Sequence, residues 1–229
     1  MKAARRRGAL WVRPLDFARL ALTGEGRSIL WTRFAHRSEV HQTTPSTWGE
    51  RYPALFDFAA SLAPDPRRIL SFGCSTGEEL ISLRRRFPAA EIVGAEINGR
   101  SRRIAGRLTA GDPKIHVVGP RSIDGVFDCV FALAVLQREP HKIEALEVND
   151  LTAYYPFSKF DATLTELVNR LIKGGLLCVI NAQYRAEDSS VAAELDPVDG
   201  APPTENQLFG PDGKRVHTRN SSTIFRKTR

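Results

Sequence analysis

Cysteine and histidine are scarce in this chain. Its 229 residues include three cysteines and five histidines, and no Cys-x-x-Cys pair is present. Cys74, Cys129 and Cys178 each lie in or beside an apolar run that predicts a buried strand, so we interpret them as small core residues in a reducing compartment. The sequence therefore predicts neither a disulfide framework nor a metal site.

Long apolar runs are also absent. No segment approaches the roughly 20 consecutive apolar residues that a membrane-spanning helix requires. Arg5, Arg6 and Arg7 lie near the start of the chain, but no continuous apolar segment with a small-residue cleavage site follows them. We therefore expect a cytoplasmic protein without a membrane partner.

The formal net charge is +7, which would suit an anionic partner such as nucleic acid. The excess is scattered, however, and Arg84-Arg85-Arg86 lie on a predicted helix whose other face is apolar. We interpret these residues as a solvated surface, so nucleic-acid binding is possible but less favoured. The composition predicts no particular oligomeric state.

Residues 68–80 change from an apolar run to small residues and then to helical periodicity. Ile69 to Phe72 predict a buried strand, and Leu80 and Leu83 recur at helical spacing behind it. Between them, residues 73–77 form a loop whose small side chains allow a ligand to approach the backbone. A strand, a tight turn and a helix in this order predict a site for a nucleotide-type cofactor.

This loop differs from the dinucleotide fingerprint G-x-G-x-x-G. Ser75 replaces the middle glycine, and the third glycine is absent. Glu78 and Glu79 occupy the first helical turn, where the helix dipole favours carboxylates but their charges would repel a pyrophosphate. A cationic cofactor without phosphates, such as S-adenosylmethionine, fits these residues better. A glycine turn without any ligand is the alternative.

The loop resembles the cofactor loop of the class I S-adenosylmethionine-dependent methyltransferases. Its residues are Gly73-Cys74-Ser75-Thr76-Gly77-Glu78-Glu79, a variant similar to that of the chemotaxis-receptor methyltransferases. The resemblance to the superfamily extends over residues 67–180 and includes Leu-Ile-Lys-Gly-Gly at 171–175, whereas the resemblance to the chemotaxis enzymes covers only the loop. It implies S-adenosylmethionine as the cofactor and an α/β fold with a doubly wound, mostly parallel seven-stranded sheet.

Further apolar runs predict the remaining strands of such a sheet. Their near-continuous apolar character is typical of parallel strands that are buried on both faces. We expect His116, within one of these runs, to pack as a neutral strand residue. The predicted strands span residues 69–72, 91–96, 115–118, 126–133, 176–180 and 222–226.

Two helices are predicted from proline positions and apolar periodicity. One begins at Pro53 and ends before Pro64. The other spans residues 158–172 and is expected to begin with a capping box formed by Ser158 and Asp161.

Residues 1–52 show no strand periodicity. Phe17, Leu20 and Leu22 suggest a short helix before residues 23–26, and residues 43–47 read as a turn-rich link. We therefore expect an N-terminal helical cap with a link at 1–52, followed by the S-adenosylmethionine-binding domain at 53–229.

Acidic and basic residues outside the loop complete the predicted cofactor site. Glu96 ends the second strand about 20 residues beyond the loop, a position from which it could accept hydrogen bonds from both ribose hydroxyls; an ordinary solvated Glu is the alternative. Arg51, with Arg67 as its competitor, is the candidate for the methionine carboxylate. With the resemblance, the predicted cofactor-binding residues are Ser71, Gly73, Cys74, Ser75, Gly77, Glu96, Ile97, Ala132, Leu133 and Arg51.

The connection at 137–157 is long for a compact domain, which predicts a lid that selects the acceptor. It contains Gln137, His141 and Tyr154, which we predict to bind the acceptor. Aromatic rings there could pack on a flat acceptor or could only anchor the loop to the sheet. A site near Asn181 is the alternative.

The fourth strand ends in Ala132-Leu133-Ala134-Val135, without the Asn/Asp-Pro-Pro-aromatic motif of the amino-directed nucleic-acid methyltransferases. The polar segment of the chemotaxis enzymes is missing there too, so neither acceptor is carried over. Methyl transfer from a sulfonium depends mainly on alignment, and no catalytic residue is predicted. We predict a small-molecule acceptor; the alternatives are an RNA or protein acceptor, or a non-catalytic partner protein that binds the cofactor.

Overall fold

The computed structural model describes residues 20–42, 50–218 and 220–229. The link expected at 43–47 and the arginines at 5–7 lie outside the described residues.

Seven of the described strands form one sheet. They are β1 Arg68–Phe72, β2 Glu91–Ala95, β3 Ile115–Val118, β4 Phe127–Leu133, β5 Leu171–Ile180, β6 Leu195–Pro197 and β9 Ile224–Lys227, while β7 Thr204–Glu205 and β8 Asn220–Ser221 form a separate ribbon. The strand order of the sheet is β3-β2-β1-β4-β5-β9-β6, and all neighbouring strands are parallel except the two pairs that involve β9. This arrangement confirms the predicted doubly wound, mostly parallel seven-stranded sheet.

Helices cover both faces of the sheet because successive strand residues point to opposite sides. Ile69 belongs to one apolar cluster, which includes Leu80 of the helix Glu78–Arg86. Leu70 belongs to the other cluster, which includes Phe160 of the helix Phe157–Asn169. Cys74, Cys129 and Cys178 are free, buried and part of the first cluster, as predicted. The helices are α1 Gly24–Ala35, α2 Pro53–Leu62, α3 Glu78–Arg86, α4 Gly99–Leu108, α5 Pro140–Ala145 and α6 Phe157–Asn169.

The predicted end and capping box of α6 are wrong. The helix ends at Asn169, and β5 begins already at Leu171. Phe127 of β4 pairs with Leu171 of β5, and Cys129 pairs with Leu176. A step of two residues along β4 therefore corresponds to a step of five along β5, and the extra residues of β5 form a bulge. The Asp161 carboxylate, expected to cap the helix, accepts a 2.7 Å hydrogen bond from the Ser190 backbone N–H instead.

A short helix was expected before residues 23–26; residues 20–22 are helical, and α1 begins directly after Thr23, at Gly24. The Thr23 side chain accepts a 2.9 Å hydrogen bond from the Gly26 backbone N–H and caps the helix. Glycine is needed at 26 because a Cβ there would lie 2.0 Å from the Leu20 carbonyl oxygen.

His116 is exposed rather than packed, since it lies on β3 at the edge of the sheet. None of the helices described is both long and apolar enough to cross a membrane.

Candidate cofactor and acceptor site

A cavity of about 890 Å³, here called the main cavity, lies at the carboxyl ends of β1, β2 and β4. The chain runs outward from β1 through β2 to β3 and then returns to the other side of β1 as β4, so the strand order reverses at this point. Residues of the cap also reach this cavity. They include Thr32, Ser38, His41 and Gln42.

The loop after β1 forms a tight part of the cavity wall. Its backbone is fixed by a 2.8 Å hydrogen bond from the Gly73 N–H to the Ala95 carbonyl. Gly73 has a φ of +84°, and a Cβ at this position would lie 2.5 Å from a methyl group of Val135. Both its conformation and the lack of space therefore require glycine.

Glu96, directly after β2, lies in this wall and is only 8% exposed. Its Oε2 accepts a hydrogen bond from the Ser75 N–H at 2.9 Å, and its Oε1 accepts one from the Asn98 N–H at 2.6 Å. Burial raises the pKa of this carboxyl, and the two backbone N–H groups oppose that rise. Glu96 thereby joins the loop to the N-terminus of α4.

Glu79 also lines the main cavity, although sequence reasoning treated it only as a charge in the first helical turn. Its Oε1 accepts a 2.7 Å hydrogen bond from the Ser71 hydroxyl. Loss of water around the carboxylate raises its pKa to about 7, while Ser71 and the positive charge of Arg51 act in the opposite direction. The available signal was its place in the first turn directly behind the glycine loop.

Arg51 lies in the wall of the main cavity, whereas Arg67 does not. The guanidinium of Arg51 stands 5.0 Å from the centre of the Tyr52 ring, and Tyr52 is a second lining residue that sequence reasoning missed. Arg67 is exposed at the other end of β1, where its N–H donates to the Asp128 carboxylate at 3.0 Å. The geometry thus separates the two candidates for the methionine carboxylate.

Three of the predicted cofactor residues do not line the main cavity. Ser71 reaches it only through Glu79, and Ala132 is buried in the core. Gly77, at a φ of +101°, packs against Ala105 and so sets the distance between α3 and α4. The structure brings the other seven together: Gly73, Cys74, Ser75, Glu96, Ile97, Leu133 and Arg51.

A second cavity of about 500 Å³ lies beside the first. Gln137 and His141 line it, as expected for acceptor residues placed after β4. Tyr154 lines neither cavity; its half-buried ring packs against the apolar cluster on the α6 face, because the chain turns back to the sheet before α6. The second cavity is lined by Gln42, Arg51, Ala134, Gln137, Glu139, Pro140, His141, Lys142, Glu144, Asn181, Gln183, Asn206 and Gln207.

Hydrogen bonds within the protein hold the wall of the second cavity. Gln183 Oε1 accepts from the Arg138 N–H at 2.7 Å and its Nε2 donates to the Arg138 carbonyl at 3.0 Å, so the side chain pairs with the backbone as a strand would. Glu139 forms ion pairs with Arg33 at 3.1 Å and Lys142 at 3.5 Å. The rim of this cavity is therefore fixed by paired groups.

Comparison with known proteins agrees with this arrangement. A family model described as a methyltransferase domain matches residues 42–187, which is more than half of the chain. No curated protein matches.

The chain is also similar to solved structures, three of which are described in turn. The plantazolicin methyltransferase BpumL in complex with SAH has a TM-score of 0.43 at 12% identity, covering 70% of this chain and 54% of that one. TehB from Haemophilus influenzae has a TM-score of 0.47 at 11% identity, covering 76% and 61%.

The N-methyltransferase NodS from Bradyrhizobium japonicum WM9 has a TM-score of 0.47 at 14% identity, covering 79% of this chain and 99% of that one. The chain thus spans about half the length of BpumL and nearly all of NodS. By the match over residues 42–187, the chain belongs to the methyltransferase domain family.

Proposed function

We propose that the protein transfers a methyl group from S-adenosylmethionine in the main cavity to a small-molecule acceptor in the second cavity. The observation that carries this proposal is a shared wall: Gln42, Arg51 and Ala134 line both cavities. The donor and the acceptor of a methyl group must meet in line, and two adjoining cavities at the end of β4 meet that requirement.

Charged groups in the main cavity suit S-adenosylmethionine. Glu96 uses one lone pair of each oxygen for a backbone N–H, which leaves acceptor capacity for ribose hydroxyls. The methionine part of the cofactor carries both a carboxylate and an ammonium group, and Arg51 and Glu79 supply the opposite charges. We therefore assign Glu96 to the ribose, Arg51 to the carboxylate and Glu79 to the ammonium group.

Alignment is the main task of the protein in this reaction. When bound, S-adenosylmethionine supplies a methyl group on a cationic sulfur; the acceptor's lone pair forms the new bond to carbon, and the electrons of the broken carbon–sulfur bond stay on sulfur. The proton released from the acceptor nitrogen or oxygen passes to water or to His141, whose imidazole lines the second cavity.

The size of the second cavity favours a small molecule over a macromolecule. About 500 Å³ is within the range of small-ligand pockets. Cap residues reach both cavities, so we propose that the cap, within the predicted division at residue 52, helps to enclose the acceptor.

The test uses the purified protein, S-adenosylmethionine and a protein-free small-molecule extract of cells that express the protein naturally. We expect S-adenosylhomocysteine to form only when the protein, the cofactor and the extract are all present. Calorimetric titration should show binding of S-adenosylmethionine and no binding of NAD. Formation of S-adenosylhomocysteine only with the RNA or protein fraction would contradict the proposal.

A further inference from the structure

The wall of the second cavity consists almost entirely of polar side chains. Apart from Ala134 and Pro140, its described lining residues carry a carboxamide, a charge or an imidazole. Among these described residues there is no Phe, Tyr or Trp ring and no branched aliphatic side chain on which a flat apolar ligand could pack. Charge is balanced as well, since Arg51 and Lys142 are matched by two glutamates.

Two of the carboxamides have both ends occupied by the protein. The Asn181 amide donates to the Tyr52 hydroxyl at 2.8 Å and accepts from the Thr204 hydroxyl at 3.0 Å. Gln183 is paired in the same complete way with the backbone of Arg138. These two groups hold the wall together, and each has a protein partner at both ends of its amide.

Three other carboxamides share a different arrangement. The NH₂ group of Gln137 donates to the Ala134 carbonyl at 2.9 Å, and that of Asn206 donates to the Ala182 carbonyl at 3.3 Å. Gln207 repeats the pattern, with its NH₂ group 3.3 Å from the Leu208 carbonyl. Because a backbone carbonyl can only accept, these contacts fix which end of each amide carries the nitrogen.

The carbonyl oxygens of these three amides have no hydrogen-bond donor among the described residues. That of Gln207 is buried out of reach of solvent, so the oxygens of Gln137 and Asn206 are the two that a ligand in the cavity could contact. A ligand without hydrogen-bond donors would leave these oxygens without a partner. It would displace the water that solvates them without replacing the lost hydrogen bonds. A ligand with O–H or N–H groups would satisfy them.

We propose that the methyl acceptor is a hydrophilic molecule with several hydrogen-bond donors, namely a polyhydroxylated or amino-bearing compound, which donates to Gln137 and Asn206. The described part of the wall offers such a molecule more partners than it offers a flat aromatic compound or a lipid. This inference rests on the proposed function and defines the class of molecule that the second cavity takes. The methylated group is one of the acceptor's own nitrogen or oxygen atoms.

The first experiment follows tritium from the methyl group of labelled S-adenosylmethionine into the small-molecule extract. We expect the labelled product to stay in water when the mixture is extracted with ethyl acetate and to pass unretained through a reversed-phase column. A labelled product that moves into ethyl acetate would overturn the hydrophilic acceptor but not the methyl transfer. Failure to form any labelled small molecule would contradict the proposed function itself, and this inference with it.

The second experiment asks whether the open carbonyl oxygen of Asn206 matters. We expect Asn206→Leu to lower the rate of label transfer at limiting extract about tenfold, because one hydrogen bond to the acceptor is lost. Asn206→Asp keeps an acceptor oxygen at the same place and should retain a rate within about threefold of the parent. A role of Asn206 only in its bond to Ala182 would make both variants equally slow, which would overturn the inference.

The matched control is Asn169→Leu, which makes the same change at an exposed position that lines neither cavity. It should behave like the parent protein. Calorimetry with S-adenosylhomocysteine should give the same affinity for the parent and for all three variants, because none of the changes touches the main cavity. An Asn206→Leu protein that binds S-adenosylhomocysteine and transfers label at the parent rate would also overturn the inference.

Discussion

The Asn181 amide donates a 2.8 Å hydrogen bond to the Tyr52 hydroxyl and so links the end of β5 to the residue just before α2. Tyr52 lines the main cavity and Asn181 lines the second one. One hydrogen bond therefore connects the walls of the two cavities.

Tyr52→Phe should lower the free energy of unfolding by about 1 kcal/mol, because it removes the acceptor and leaves the Asn181 amide with one partner fewer. Urea unfolding followed by circular dichroism measures the change. An unfolding free energy equal to that of the parent would mean that this bond contributes nothing in solution.

Glu96→Ala should weaken S-adenosylmethionine binding by roughly 1–3 kcal/mol, since two hydrogen bonds to hydroxyls are lost and the Ser75 loop loses its support. Calorimetry on the folded variant gives the affinity. Glu91→Ala, at the first residue of the strand that Glu96 follows and outside both cavities, is the control and should bind normally. Normal binding by the Glu96→Ala protein would contradict the ribose assignment.

Arg51→Lys should weaken S-adenosylmethionine binding about tenfold, because lysine keeps the charge but cannot hold a carboxylate with two parallel hydrogen bonds. Arg67→Lys makes the same change at the opposite end of β1 and should have no effect on affinity. Equal affinities for the two variants would remove Arg51 from the cofactor site.

Glu79 should make both stability and cofactor binding depend on pH. Its pKa is raised to about 7 in the folded protein, so the folded state holds a proton that the unfolded chain has lost, and stability should fall as the pH rises from about 4.5 to about 7. Binding of the cationic cofactor favours the ionised carboxylate, so affinity should rise severalfold between about pH 6 and about pH 8.

Calorimetry at the two pH values tests this expectation on the parent and on Glu79→Gln, in which the pH dependence should disappear. Glu78→Gln is the matched control, since Glu78 lies in the same helical turn but bonds to the Thr76 hydroxyl and lines neither cavity. Loss of the pH dependence in the control alone would contradict the role of Glu79.

His141→Ala should lower turnover of the acceptor while leaving S-adenosylmethionine affinity unchanged, because His141 lines only the second cavity. Tyr154→Ala, which opens a space beside the core instead, should lower stability more than it changes the rate at saturating acceptor. Unchanged turnover in His141→Ala would place the acceptor elsewhere.

Local patterns were sufficient to predict six strands of the sheet and the glycine loop, whereas the seventh strand, Leu195–Pro197, was implied only by the family resemblance. The strand at Ile115–Val118 coincides with its prediction, and the glycine loop lies at the expected strand end, because apolar periodicity and glycine positions act over a few residues. The capping box failed for the opposite reason. Asp161 had a nearer partner in Ser190, a residue that no local pattern connects to it.

The full set of residues in the wall of the second cavity could not be predicted from the sequence, because the tertiary structure brings them together. Gln137 follows β4 and is close to the predicted site in the chain, so it was found. Asn206 and Gln207 arrive next to it only after the chain has passed β6 and β7, and nothing in their local sequence indicates the position of β4. Glu79 was visible, but its bond to Ser71 depends on the angle between α3 and β1.

Asn98 links the N-terminal segment to the wall of the main cavity. The backbone N–H of Asn98 donates to the Glu96 carboxylate, while its side-chain amide accepts from the Ser28 hydroxyl at 2.8 Å and donates to the Thr32 hydroxyl at 3.1 Å, both on α1. The segment before α2 is thus not a detachable module. A chimera that exchanges it for that of another methyltransferase, or a truncation that begins at Pro53, would take away two partners of Asn98 and with them part of the support for the Glu96 carboxylate.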